Sequence, residues 1–228
     1  LVDWGSSPNS EDNQHRTPLS YASGAGSCMV TDLLLKDNRV SPDNRDINGR
    51  TPLWWAMENG YDTVVKQLLE IGVDREPKDQ SERTPLSWAA GNGHDAVVKQ
   101  LIEADVDVDP KDYSRKTPLR WAASNGYDTV VKQLLETGKV DVDTKSSFGE
   151  TPLSSAARNG HDAVVKQLLE TGKVDVETKD TSGRTPLSLA ADNGHAAVVK
   201  LLLETGRVDP HAKDNNGRTP LWLAAHKK

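Results

Sequence analysis

The sequence predicts an all-helical solenoid, built of helix-turn-helix pairs joined by hairpin loops, and three observations carry that expectation. Thr-Pro-Leu recurs at Thr17, Thr51, Thr84, Thr117, Thr151, Thr185 and Thr219, at intervals of 33 or 34 residues. A fixed period of this length marks a stacked array of small units rather than one folded-over core. Each Thr-Pro-Leu opens two successive apolar patterns of helical period. Hydrophobic residues make up only 35% of the 228, which is low for one thick core but suits a thin array whose units bury only their two neighbouring faces.

Each element of the unit has a local cause, shown best by the stretch from Arg83 to Glu103. Thr84 before Pro85 is a helix start: the hydroxyl caps free N–H groups, and proline at the first helical position lacks only an N–H that would be unpaired anyway. Leu86, Ala89 and Ala90 recur at helical spacing, and the paired alanines let a neighbouring helix approach closely. Asn92-Gly93 then ends the first helix. A second helix is expected from about Asp95, with Val97, Val98, Leu101 and Ile102 on its packed stripe and Lys99, Gln100 and Glu103 turned to water. The segment from Gly138 to Glu150 mixes an alternating strand pattern with turn residues, so it predicts an extended hairpin linking one pair to the next.

The Thr-Pro-Leu opening, the Ala-Ala pair, the Asn-Gly-His or Asn-Gly-Tyr turn and the Val-Val-Lys-Gln-Leu-Leu helix resemble ankyrin repeats over nearly the whole chain. Arg184 to Asp209 further resembles the near-identical ankyrin arrays at the C-termini of fungal nucleotide-binding receptors of the STAND (NACHT) type. The resemblance implies L-shaped units, with hairpins and first helices lining a concave surface and second helices forming the back. It also implies a non-catalytic function in protein recognition, as part of a larger intracellular receptor, with self-association or scaffolding as the alternative. One departure is that the family's usual histidine after Thr-Pro-Leu is replaced by Ser20, Trp54, Ser87, Arg120, Ser154, Ser188 and Trp222.

The expected layout is a single domain over 1–228. It has a partial repeat over 1–16, six repeats over 17–50, 51–83, 84–116, 117–150, 151–184 and 185–218, and a partial repeat over 219–228. Alignment of Thr17 with Thr117 places Leu1 opposite Leu101, so the chain is expected to begin inside a second helix and to end inside a first one.

Composition removes several function classes. With 34 acidic and 28 basic residues the net charge is −6, which disfavours nucleic-acid binding, because phosphate contacts need a surplus of lysine and arginine. Cys28 is the only cysteine, so no internal disulfide forms, and a reducing, cytoplasmic compartment is expected. No apolar run approaches the length of a membrane span. Phosphate-loop, His-Glu-x-x-His and Cys-x-x-Cys motifs are absent from the sequence, so neither catalysis, a cofactor, a metal nor a small-molecule substrate is expected. His94, His161 and His195 recur once per unit at the turn between helices. They are read as satisfying backbone groups, since ligands one unit apart lie too far from one another to share an ion.

The candidate partner-binding residues are those that vary against the repeated background. Glu58, Ser124, Arg158 and Asp192 fill the variable position of the Ala-Ala-x-Asn-Gly phrase, where packing requires no such spread of charge. Ile47, Tyr113 and Phe148 stand at hairpin tips, and interface cores favour such anchors. Trp54, Arg120 and Trp222 follow Thr-Pro-Leu in a column of mixed character and are expected to be partly exposed. The next column, with Tyr21, Trp55, Trp88, Trp121, Ser155, Leu189 and Leu223, is expected to face inward. Lys66–Glu70 and its counterparts along the second helices are read as a solvated back. The basic column before Thr-Pro, from Arg16 to Arg218 with Glu150 as its exception, is expected to pair with Asp43, Glu76, Asp109, Asp143 and Glu177, with recognition of an acidic partner as the alternative.

Overall fold

The structure, a computed structural model, describes residues 7–226; Leu1 to Ser6 of the expected N-terminal partial repeat, and Lys227 and Lys228, lie outside the described residues. Among the described residues there are thirteen α-helices and no strands. The first helices of the pairs are α1 (Pro18–Gly24), α3 (Pro52–Glu58), α5 (Pro85–Asn92), α7 (Pro118–Asn125), α9 (Pro152–Asn159), α11 (Pro186–Asn193) and α13 (Pro220–His226). The second helices are α2 (Cys28–Leu35), α4 (Asp62–Glu70), α6 (Asp95–Glu103), α8 (Asp128–Glu136), α10 (Asp162–Glu170) and α12 (Ala196–Glu204).

The repeated Thr-Pro does what its chemistry predicts. In α1, α3, α5, α7, α9 and α11 the threonine sits in extended backbone and its hydroxyl accepts the N–H three residues on, while proline takes the first turn. Where serine stands in the family's histidine position, Ser20 and Ser154 return a hydroxyl to the threonine N–H and complete a capping box. Helices α5, α7, α9 and α11 stop at Gly93, Gly126, Gly160 and Gly194 in the left-handed conformation.

The chain forms two compact units, residues 1–110 and 111–228. In the first, α1 packs on α3 and α3 on α5, while α2, α4 and α6 stack behind them. Its core is a column of Leu19, Leu53 and Leu86 with Val64, Val65, Leu68, Val97, Val98 and Leu101, each buried. In the second, α7, α9, α11 and α13 stack in order against α8, α10 and α12, over Leu119, Leu153 and Leu187. Each fully buried leucine contributes about 2 kcal/mol, so both units are held by many equal contributions rather than by one centre. The charged faces of the second helices are exposed, with Lys66–Glu70, Lys99–Glu103, Lys132–Glu136 and Lys166–Glu170 in loose contact at 3.9–4.0 Å. Such pairs contribute little.

The expected extended hairpins are instead tight turns closed by side chains. In the first unit Oδ1 of Asp46 accepts the N–H groups of Asn48 (2.8 Å) and Arg50 (2.9 Å), and Asp79 does the same for Ser81 and Arg83. In the second unit Asp112, Asp180 and Asp214 repeat the arrangement. A carboxylate that takes up two backbone donors withdraws those two from any strand ladder. Neighbouring turns are tied by single backbone bonds, such as Ile47 N–H to Gln14 O and Thr181 N–H to Phe148 O.

At the tip of these turns Gly49, Gly149, Gly183 and Gly217 take φ of 73–78°. Glu82 and Arg115 occupy the same place at 61° and 59°, in a region that costs a side-chain-bearing residue on the order of 1 kcal/mol. Glu82→Gly and Arg115→Gly are therefore each expected to raise the denaturation midpoint; an unchanged or lowered midpoint for both would show that the turn accommodates a Cβ without strain.

Candidate protein-binding surface

The two columns that follow Thr-Pro-Leu exchange the roles expected of them. Trp54 and Arg120, placed by sequence on an exposed surface, are 2% and 5% exposed, and Ser20, Ser87, Ser154 and Ser188 of the same column are also buried. The third helical residue lies beside the capping threonine and points into the stack, and the next residue is turned about 100° from it. Trp55, Trp88 and Trp121 are accordingly half-buried on the open side of the first helices, and Tyr21 is exposed; only Ser155, Leu189 and Leu223 of that column are buried as expected. Trp222 is the exposed exception in its own column, stacked on His226 at 4.7 Å.

The half-buried aromatics belong to a recurring cluster of acid, cation and ring. In the first unit Arg83 binds Asp79 at 2.8 Å, lies 3.8 Å over the Trp88 ring, and Trp88 donates its indole N–H to the same carboxylate at 3.1 Å. Arg50 binds Asp46 and lies 3.9 Å over Trp55; Arg16, Asp12 and Tyr21 repeat the pattern. Burial works against the charged form of Asp79, but hydrogen bonds from the Arg83 N–H, the Trp88 indole and the Ser81 N–H outweigh it, and its pKa is lowered. In the second unit Trp121 donates to Asp112 at 3.2 Å beneath Lys116. The sequence carries this signal as acid, cation and aromatic at i, i+4 and i+9, in Asp79, Arg83 and Trp88.

The basic column thus pairs with the turn aspartates and not, as expected, with Asp43, Glu76, Asp143 and Glu177. Those four accept backbone N–H groups of the next turn, at Asp74, Asp107, Asp175 and Asp209. Burial pushes the carboxyl groups of Asp43 and Asp143 up, against the pull of those hydrogen bonds.

One place in the second unit departs from the pattern. Ser146 stands for the aspartate, Glu150 for the cation and Ser155 for the aromatic. Here Arg120 and Arg158 both bind Glu150, and Arg158 also lies 3.6 Å from Asp180. Burial pulls the Arg120 pKa down, opposed by the Glu150 charge. Ser155 turns its hydroxyl back to the Thr151 carbonyl at 2.9 Å.

Of the remaining candidates, Tyr113 is 72% and Phe148 61% exposed at turn tips, and Ile47 is exposed on the first unit. Glu58, Ser124, Arg158 and Asp192 are half-buried at the ends of first helices. The carbonyls of three of them accept Nε2 of the turn histidines: Glu58 from His94 (3.0 Å), Ser124 from His161 (3.0 Å) and Arg158 from His195 (2.9 Å). The histidines therefore have the structural role read from their spacing. Among the described residues no group of three or more His, Cys, Asp or Glu side chains is placed to hold a metal ion, and no helix is long and apolar enough to cross a membrane.

The family model described as "Ankyrin repeats (3 copies)" matches residues 1–79, 65–146 and 138–214. Among curated proteins, the chain is 39% identical over 64 residues to the 26S proteasome non-ATPase regulatory subunit 10 of Dictyostelium discoideum, covering 28% of each protein. It is 34% identical over 74 residues to neurogenic locus notch homolog protein 4 of Homo sapiens, covering 32% of this chain and 4% of that protein. The matched stretch thus spans a minor part of both relatives. Among solved structures, the crystal structure of the human ASB11 ankyrin repeat domain matches with a TM-score of 0.85 at 28% identity, over 93% of each chain.

Proposed function

Because this chain belongs to the ankyrin-repeat family, we propose that it is a non-catalytic protein-binding module, whose repeats are delimited at each Thr-Pro and whose partner seats on the turns and the open side of the first helices. The observation that carries this reading is the exposure of Tyr113 and Phe148, large apolar side chains at variable positions of an otherwise repeated scaffold, as expected of interface anchors. Ile47, Glu58, Ser124, Arg158, Asp192 and Trp222 supply further contacts; Trp54 and Arg120 act from beneath, by holding that surface in place. Rigid helix pairs make the surface preformed, so little ordering cost falls on binding. The narrower likeness of Arg184–Asp209 to receptor arrays supports a ligand-sensing role in a larger fungal, cytoplasmic receptor.

Capture of a partner by the whole chain tests the reading. Tyr113→Ala and Phe148→Ala should each weaken capture by about 1–3 kcal/mol with nearly unchanged melting temperature, Arg158→Ala should weaken it with a lowered melting temperature because it also binds Glu150 and Asp180, and Lys132→Ala on the second-helix side should leave capture intact. Equal loss from Lys132→Ala would place the interface elsewhere. Self-association is favoured by one feature, an apolar groove of about 680 Å3 between α11, α12 and α13, where Leu203 and Leu221 are exposed. In that case sedimentation would report oligomers that Leu203→Glu and Leu221→Glu dissolve.

A further inference from the structure

The first unit holds a cavity of about 300 Å3 on the open side of α3 and α5, lined by Arg50, Trp54, Glu58, Asp79, Arg83 and Trp88 among others. This volume lies at the small end of ligand pockets and suits one side chain rather than a cofactor. Two indoles stand in its otherwise polar wall, Trp54 meeting Trp88 edge-on at 5.0 Å. Trp54 is buried, yet its indole N–H has no acceptor among the described residues.

The charges of the cavity do not cancel. Arg50 is committed to Asp46 at 2.9 Å and Arg83 to Asp79 at 2.8 Å, and the guanidinium faces lie over Trp55 and Trp88. Each guanidinium thus already has a carboxylate partner. Glu58 is the carboxylate left over, and no side chain among the described residues hydrogen-bonds or ion-pairs with it. Burial raises its pKa, opposed by the charges of Arg50 and Arg83. A half-buried acid with no side-chain hydrogen bond or ion pair of its own is an arrangement that favours a cation.

We propose that this cavity receives one basic side chain, lysine or arginine, of the protein partner, with the charge on Glu58 and the aliphatic stem against Trp54 and Trp88. The inference deepens the protein-binding reading and rests on it for the source of the side chain. It also gives the varying residue after Ala-Ala or Ala-Met a role: at Glu58 the repeat asks for a cation, whereas at Arg158 the same position carries its own.

The test is a titration of the whole chain with Nα-acetyl-lysine amide, Nα-acetyl-arginine amide and Nα-acetyl-glutamate amide, followed by NMR of the tryptophan indole N–H groups. The basic compounds should shift Trp54 and Trp88 saturably, leave Trp121 unmoved, and bind roughly tenfold more weakly to Glu58→Gln. Trp88→Leu, which installs the residue that Leu189 supplies in its own repeat, should weaken them as well, with thermal melts confirming that both variants fold. Absence of a saturable shift, equal binding by Glu58→Gln, or preference for the glutamate compound would overturn the proposal. Should the captured partner bind wild type and Glu58→Gln equally, the protein-binding reading stands and the basic anchor fails. Saturable, Glu58-dependent binding of the amides without any captured partner supports the cavity and counts against the broader reading.

Discussion

Glu150→Ala is expected to destabilise the unit of residues 111–228 by about 3–5 kcal/mol, because it removes the one anion that two guanidinium groups share. Arg120 is 5% exposed, its Nε already lacks an acceptor, and Glu150 is itself buried. With Glu150 gone, Arg120 keeps its desolvation cost and loses the charge that offsets it. Arg158 suffers less, since it is more exposed and retains Asp180 at 3.6 Å. The double variant Arg120→Ser, Glu150→Ala should recover most of the loss, as serine is the commonest residue of that column and places no charge in the stack. Urea unfolding of the wild type, both single variants and the double variant would measure the coupling. Additive effects would mean that the two residues do not act as a pair.

The same cluster shows what one sequence can and cannot disclose. Periodicity marks the first helices and the second helices α4, α6, α8, α10 and α12, because the Thr-Pro cap and the Val-Val-x-x-Leu stripe act within a few residues of themselves. The turn histidines were legible for a related reason: a residue repeated once per unit meets the same backbone each time. Arg120 and Trp54 were not legible, since adjacent helical positions differ only by a rotation, and a column of Ser, Arg and Trp has no hydrophobic signature to say which way it faces. Pairing of the basic column was misplaced because two acidic columns flank each turn. The choice between Asp46 and Asp43 as partner of Arg50 depends on turn geometry that the alternating pattern hid. The compensation among Glu150, Arg120, Arg158 and Ser155 spans three consecutive departures from the repeat, each of which looked independent until contacts joined them.

Turn glycines give the second large effect and separate two causes of intolerance within one unit. Gly126 and Gly194 close α7 and α11 with nearly equal backbone, φ 79° and 75°, so alanine at either carries a similar left-handed strain of about 1–2 kcal/mol. Their surroundings differ. A Cβ on Gly126 would stand 2.5 Å from Nδ1 of His161, while one on Gly194 would meet nothing within 4 Å. Gly126→Ala must therefore also push the imidazole aside and weaken its 3.0 Å bond to the Ser124 carbonyl, a further loss of about 1–3 kcal/mol once that buried donor and acceptor part. The expected order is a loss of about 2–5 kcal/mol for Gly126→Ala against about 1–2 kcal/mol for Gly194→Ala. His161→Ala should be costly alone, yet combined with Gly126→Ala it should remove the clash, so that the pair costs less than the sum of its members. Equal melting temperatures for Gly126→Ala and Gly194→Ala would show that backbone strain alone demands glycine at these turns, and that the histidine yields without penalty.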